Sequence, residues 1–259
     1  MTGITRAEVC AAACADAWRD AGEVLAHAVG VLPGIGARLA RMTTNPDLVL
    51  TDGEAFFMSD PPPLGRTAAH GGVVEGWVPF GRVFDIVAAG RRRSMMGAGQ
   101  LDAYGNQNIS LIGDWRHPTR QLIGVRGAPG NTVNHRTDYW IARHSPKVFV
   151  EKVDVVCGVG NDRARAGRGL RFHDLGVVIS DLAVLDYGAD GRLRIRSVHP
   201  GVTVAEVRRK TGFDLDAAGA TETRLPSDTE LRLVREVIDP EGLRHREVPA
   251  PAGPGLTGR

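Results

Sequence analysis

The stretch "VFDIVAAGRRRSMMGAGQLDAYGNQNIS", residues 83–110, decides the reading of the fold. It opens with an apolar helical pattern that stops near Gly90. "RRR" at 91–93 reads as a solvated turn before a strand, with contact to an anionic ligand as the alternative. "SMMGAGQLD" is strand-like. Small residues then lead into Gln100, Asp102, Tyr104, Asn106 and Asn108, a run of hydrogen-bonding groups where a sheet core is expected. Helix, turn, short apolar strand and polar stretch together describe an α/β unit, and in open α/β sheets ligands collect at the carboxyl ends of the strands.

The pattern continues on both sides. Upstream, residues 5–28 carry apolar side chains at helical spacing behind Thr5 and Glu8, an S/T-x-x-E capping box. A second helix is predicted over 35–43, and "DLVLT", 47–51, as a short strand. Downstream, "QNISLIG", "RQLIGV" and "KVFVEKVDVV" (147–156) read as further strands. "GVVISDLAVLDYGADGRLRIRSV" reads as strands turning at "GADG". A helix follows the Pro-Gly turn of "HPGVTVAEVRRKTGF", and Ser227 with Glu230 forms a second capping box. The predicted fold is α/β: an open, largely parallel twisted sheet with helices on both faces and some antiparallel strands late in the chain. One domain spans 1–247. The Pro/Gly-rich tail, 248–259, is expected to be disordered.

Bulk properties exclude several functions. The chain has 259 residues and is 42% hydrophobic and 24% charged, as a folded domain should be. Its 32 basic residues are scattered among 30 acids, so no nucleic-acid footprint is expected. No run reaches the roughly 18 apolar residues of a membrane span. With no signal-peptide pattern either, a cytoplasmic location is expected. Cys10 and Cys14 share a helix face without further ligands nearby, so they read as core residues and no metal site is expected.

Three segments look like strand ends with chemistry. "TDGEA" offers the carboxylates Asp52 and Glu54, able to act as nucleophile or general base, and equally able to cap the next turn. In the opening stretch, Gln100, Asn106 and Asn108 bring amides that orient a carbonyl or a water without net charge, or else satisfy one another in a turn. "GVRGAPGN", 124–131, lets backbone N–H groups approach an oxyanion, although such loops also serve simply as turns. It is neither a Walker loop nor a dinucleotide fingerprint. Of the eight dispersed histidines His135, after "GNTVN", is the one to watch, although it reads first as an ordinary surface or helix histidine. The charged segment 161–174 reads as a solvent loop.

These segments, in this order, resemble the beta subunit of the class I coenzyme A transferases. "GAGQLDAYGNQNIS" is similar to that family's G-A-x-Q-x-D-x-x-G-N-x-N signature, "GVRGAPGN" stands where the family has a Gly-Gly-Ala loop, and "HPGVTVAEV" is similar to its late P-G-V-T element. The resemblance implies an open α/β fold, an alpha subunit as partner in an alpha2-beta2 assembly, and an acyl-CoA site where the two chains meet. It implies no cofactor beyond the CoA carried by the substrate thioester. Gln100, Asn106, Asn108, Arg126, Gly127, Ala128, Gly130 and Asn131 fall at the matching substrate-binding positions.

The family's catalytic glutamate would fall at Asp52 or Glu54. Asp52 is one methylene short and Glu54 two residues late, a displacement of about 6–7 Å along a strand. Arg126 replaces the second glycine, and Gly130-Asn131 replaces a Met/Asp pair. These departures resemble one branch of the family, the two-chain hydrolases that open the last steroid ring of a CoA thioester, with the base on the alpha chain. A true CoA transferase and a non-catalytic structural subunit are the alternatives.

Overall fold

Seven strands build the central sheet of the computed structural model, which describes residues 3–51, 56–66, 71–166 and 170–250. Helices α1 (Arg6–Trp18) and α2 (Val31–Thr43) flank the short strand β1 (Leu25–Ala28). Next, β2 (Leu50–Thr51), β3 (Phe56–Asp60) and β4 (Val73–Trp77) make a small antiparallel sheet of their own. α3 (Val83–Ala88) leads into β5 (Arg92–Met96). Two antiparallel hairpins follow outside the central sheet. They pair β6 (Gln100–Leu101) with β7 (Gln107–Asn108), and β8 (Leu111–Gly113) with β9 (Pro118–Gln121).

α4 (Ala128–Asn134) returns the chain to β10 (Arg136–Ile141), and α5 (Asn161–Ala166) precedes β11 (Asp174–Ser180). β12 (Ala183–Tyr187) and β13 (Leu193–Val198) continue as an antiparallel meander. α6 (Val204–Arg209), β14 (Thr221–Glu222) and α7 (Asp228–Arg232) complete the described elements of these two kinds. The sheet order is β1-β5-β10-β11-β12-β13-β14. Its first four strands are mutually parallel, and the antiparallel ones come late, as predicted.

Side-chain alternation along the strands feeds two cores. Ala26, Met95, Trp140 and Ile179 face α1 and α2, while Met96, Tyr139, Ile141 and Val178 pack with Leu101, Phe149 and Val207 on the other face. α1 and α2 come unusually close because α1 offers Cys14 and alanines to Gly36. A Cβ on Gly36 would lie 2.5 Å from the Cys14 Cβ. Both predicted capping boxes form, Thr5 with Glu8 and Ser227 with Glu230. Among the described residues no helix is long and apolar enough to cross a membrane.

Several expectations fail for identifiable reasons. The first helix ends at Trp18, not residue 28. Gly22 takes a left-handed φ of 64°, and residues 25–28 leave the helix to pair with β5. "RRR" is no solvated turn: Arg92 and Arg93 lie in β5, and Arg93 is buried on Asp138. "KVFVEKVDVV" is not a strand. Only Phe149 bridges to Leu101, because no neighbouring strand is there to pair the rest. "QNISLIG" and "RQLIGV" supply short hairpins instead of strands of the central sheet. The polar-looking "RTDYWI" is β10, central and buried. The loop 161–174 contains α5 and the first residue of β11. Val248 packs into the first core, so the chain is still ordered there, whereas 251–259 lie outside the described residues.

Candidate functional site

β5 ends at Met96, and Gly97-Ala98-Gly99 carry the chain off the sheet into the β6–β7 hairpin. The turn of that hairpin is built by Asp102, whose Oδ1 accepts from the backbone N–H groups of Tyr104 and Asn106, both at 3.0 Å. Gly105 sits in the turn at φ 81°, with the Tyr187 hydroxyl where a Cβ would be, so only glycine fits. Burial pushes the Asp102 carboxyl above its usual range, against the hydrogen bonds from Asn106 and Tyr104 that favour its charged form.

The three predicted amides are all buried. Asn106 Nδ2 donates to Asp102 Oδ2 and Asp162 Oδ1, each at 2.9 Å, and its Oδ1 accepts from the Gly160 N–H. Asn108 Nδ2 donates to Gln100 Oε1 and to the Leu111 carbonyl, both at 2.7 Å, and its Oδ1 accepts from the Ser110 N–H. Gln100 completes the lattice through Asp154, accepting from its N–H and donating to its carboxylate at 2.9 Å. These amides therefore knit residues 97–110 to 154–162. Their hydrogen-bonding capacity goes to holding the stretch in shape.

The second segment lies against the first. The Leu122 N–H donates to the Ser110 carbonyl, and a Cβ on Gly99 would strike the Leu122 side chain at 2.6 Å. Arg126 has a φ of 50°, the one non-glycine residue with positive φ among those described. Arg126 and Gly127 are exposed, Ala128 and Asn131 are buried, and Gly130 is half-buried. Asn131 Nδ2 reaches the Met96 sulfur at 3.1 Å, which fastens the loop to the carboxyl end of β5. Two of the three predicted segments thus meet at one rim of the sheet. The third holds Asp52 and Glu54, which lie outside the described residues. Val49 bridges in parallel to Leu25 of β1, after which Leu50 and Thr51 pair with β3 in the small sheet.

Sequence reasoning missed Gln107 and misjudged the surroundings of His135. Gln107 is fully buried, donates to the Gly97 carbonyl, and leaves its Oε1 without a partner beside Gly158 and Thr132. It joins the β5 exit to the segment at 158, and its place inside the amide-rich motif was the only available signal. His135 is not a surface histidine. It is 5% exposed, directly before β10, with Nε2 at 3.2 Å from Asn131 Oδ1 and Nδ1 at 3.0 Å from the Arg136 carbonyl. Burial lowers its pKa, and Arg92 lowers it further. The i, i+4 spacing of Asn131 and His135 was the signal for that pair.

Elsewhere several large apolar side chains stand in solvent. Trp77, Phe80, Phe84, Trp115 and Ile123 are each more than 60% exposed. Phe80 and Phe84 meet edge to face with ring centroids 6.2 Å apart, a contiguous apolar surface of the kind that partners cover. No group of three or more His, Cys, Asp or Glu suited to a metal ion occurs among the described residues.

Comparison with known proteins agrees with this geometry. Residues 83–210 match the family model for coenzyme A transferase. The chain is 52% identical to the cholesterol ring-cleaving hydrolase IpdB subunit of Rhodococcus jostii, over 96% of this chain and 98% of that protein. It is 53% identical to the IpdB subunit of Mycobacterium tuberculosis, over 94% of this chain and 98% of that protein. The crystal structure of Rhodococcus jostii IpdAB superposes with a TM-score of 0.90, covering 95% of this chain and 99% of that one. A motif-bearing rim, a largely parallel sheet and relatives matched end to end lead to one conclusion: this chain belongs to the coenzyme A transferase family.

Proposed function

We propose that this chain is the beta subunit of a two-chain hydrolase that opens the last ring of a steroid-derived acyl-CoA. The single observation carrying this reading is the 52% identity to a cholesterol ring-cleaving hydrolase subunit across 96% of the chain. The carboxyl rim of the sheet, with residues 97–110 and 122–131 side by side, is where the thioester would lie. Arg126 and Gly127 are the exposed members of the predicted binding set. Gln100, Asn106, Asn108 and Asn131 would act from behind, holding the loops in place.

The chemistry is a retro-Claisen cleavage. Water adds through oxygen to a ring ketone, and the carbon–carbon bond to the position beside the thioester breaks. The electron pair is stabilised by the thioester carbonyl and then takes a proton, while the former ketone leaves as a carboxylate. The base that activates the water is assigned to the alpha subunit. The exposed face from Trp77 to Ile123 is the surface that subunit would cover. No cofactor is required beyond the CoA of the substrate, and a CoA thioester substrate fits a cytoplasmic enzyme.

The match to the coenzyme A transferase model favours one rival, transfer through an acylated Asp52 or Glu54. The test is intact-protein mass spectrometry of the alpha–beta complex after incubation with a cyclic keto acyl-CoA in labelled water, with and without borohydride trapping. Hydrolysis predicts a ring-opened product containing one labelled oxygen and no adduct. A CoA adduct on this chain at Asp52 or Glu54 would overturn it in favour of transfer. Product formation by the alpha subunit alone, at the full rate, would leave this chain a structural role.

A further inference from the structure

The amino ends of the parallel strands form a second rim, about 13 Å away along β5. There a cavity of about 1090 Å³ opens. Arg92 and Arg93, from the start of β5, share its wall with Asn134, His135 and Arg136 from the α4–β10 junction. Arg93 is accounted for: its Nε bonds Asp138 at 2.9 Å and its guanidinium lies over the Trp18 ring. Arg136 pairs with Asp174 at 3.5 Å, and its Nε lies 3.8 Å from Asp138 Oδ1, in an ion pair but without a hydrogen bond.

Arg92 has no such compensation. Its Nε is buried and unbonded, and among the described residues its guanidinium pairs with no carboxylate. Of the four acids on the wall, Asp16 pairs with Arg19 and Arg224 and Asp174 with Arg136, while Asp20 and Glu222 line it without reaching Arg92. Burial brings the Arg92 pKa down to about 10, and Arg92 in turn adds to the burial that keeps His27 and His135 neutral. A half-buried guanidinium with no counter-charge is costly, and an anion seated against it removes that cost. Planar guanidinium groups favour carboxylate and phosphate oxygens.

We propose that this cavity binds a small oxyanion of the phosphate or carboxylate class, anchored on Arg92 with Arg136 beside it. The site is separate from the rim assigned to the acyl-CoA, and the inference does not rest on the reaction proposed there.

The test titrates the alpha–beta complex with inorganic phosphate at constant ionic strength, with chloride as the balancing anion. The titration is run with saturating CoA to occupy the other rim, and in parallel without it. The expected result is a saturable rise in melting temperature and broadening of the phosphorus resonance. Both should be lost in Arg92→Met and partly restored in Arg92→Lys, with acyl-CoA turnover the same in all three proteins. A response no larger than that to chloride, or one that persists in Arg92→Met, would overturn the site. If Arg92→Met does not assemble, the Lys variant and the wild-type phosphorus signal decide. Broadening that CoA abolishes would report the acyl-CoA rim and would equally overturn the proposal.

Discussion

Asn108 lies directly opposite Gln100 in the β6–β7 pair, and its amide also donates to the Gln100 Oε1 at 2.7 Å. Backbone register and side-chain bond therefore enforce one another. Replacing Asn108 by Ala leaves the Leu111 carbonyl and the Ser110 N–H without their partner inside a buried site. The expected loss is about 1–3 kcal/mol, read from urea denaturation. Gln100→Ala in the same background should cost less than it does alone, since the two residues share a network. Additive losses would count against the lattice.

Gly36→Ala sets two effects against each other. Alanine favours the helix by about 1 kcal/mol over glycine. Its Cβ would lie 2.5 Å from the Cys14 Cβ and 2.9 Å from the Ala15 nitrogen, and backbone cannot rotate aside. Overpacking of this kind costs about 1–3 kcal/mol. The clash should win, giving a lower melting temperature. A stabilised variant would mean that α1 and α2 are less tightly apposed.

Glu247 caps α2 from more than two hundred residues away. Its carboxylate accepts from the Val31 N–H at 2.9 Å, the Leu32 N–H at 3.0 Å and Trp140 Nε1 at 2.9 Å. Glu247→Ala should cost at least about 1.5–3 kcal/mol, the value of a charged hydrogen bond. Glu247→Gln should cost less, because it keeps an acceptor and loses the charge that favours a helix N-terminus by about 0.3–1 kcal/mol. Trp140 emission should shift in the Ala variant before global unfolding.

Acid should destabilise the chain starting from mild pH. His144 is held between the Ser180 and Thr211 hydroxyls and stacked on Phe149, and burial with Lys210 nearby brings its pKa down to about 3. Burial brings His199 down to about 4 and, with Arg92 and His135, His27 to about 4. These histidines are neutral when folded and protonate more readily when unfolded. Their contribution is complete above the unfolded value of about 6.5 and is lost as pH falls from there toward the folded values. Each supplies a slope of at most about 1.4 kcal/mol per pH unit in that window. Urea midpoints from pH 7 to 4.5 should fall accordingly, and more gently in His144→Gln. A flat profile between pH 6.5 and 5 would be inconsistent with buried neutral imidazoles.

Features settled within a few residues were legible in the sequence. Both capping boxes need only four positions. The turn at 188–191 needs only a glycine able to take the φ of 82° that Gly191 adopts. The order of the motif segments was legible too, through resemblance. Burial was not: Asn106 and Asn108 had equal standing as binding groups and as a turn network, and only their partners Asp162, Gly160 and Leu111 showed where their hydrogen bonds go.

By itself, then, the sequence determined the α/β class, the two capped helix starts at Thr5 and Ser227 and the late antiparallel strands, because hydrophobic period and capping chemistry act over short range. Tertiary structure decided the rest. Residues 25–28 became a strand because β5 offered them a parallel partner, and 147–156 did not because none was there. Asp138 could sit buried in a central strand because Arg93 and the Val177 N–H meet it there. Pairing partners and counter-charges come from distant parts of the chain, so a residue's local pattern cannot announce them.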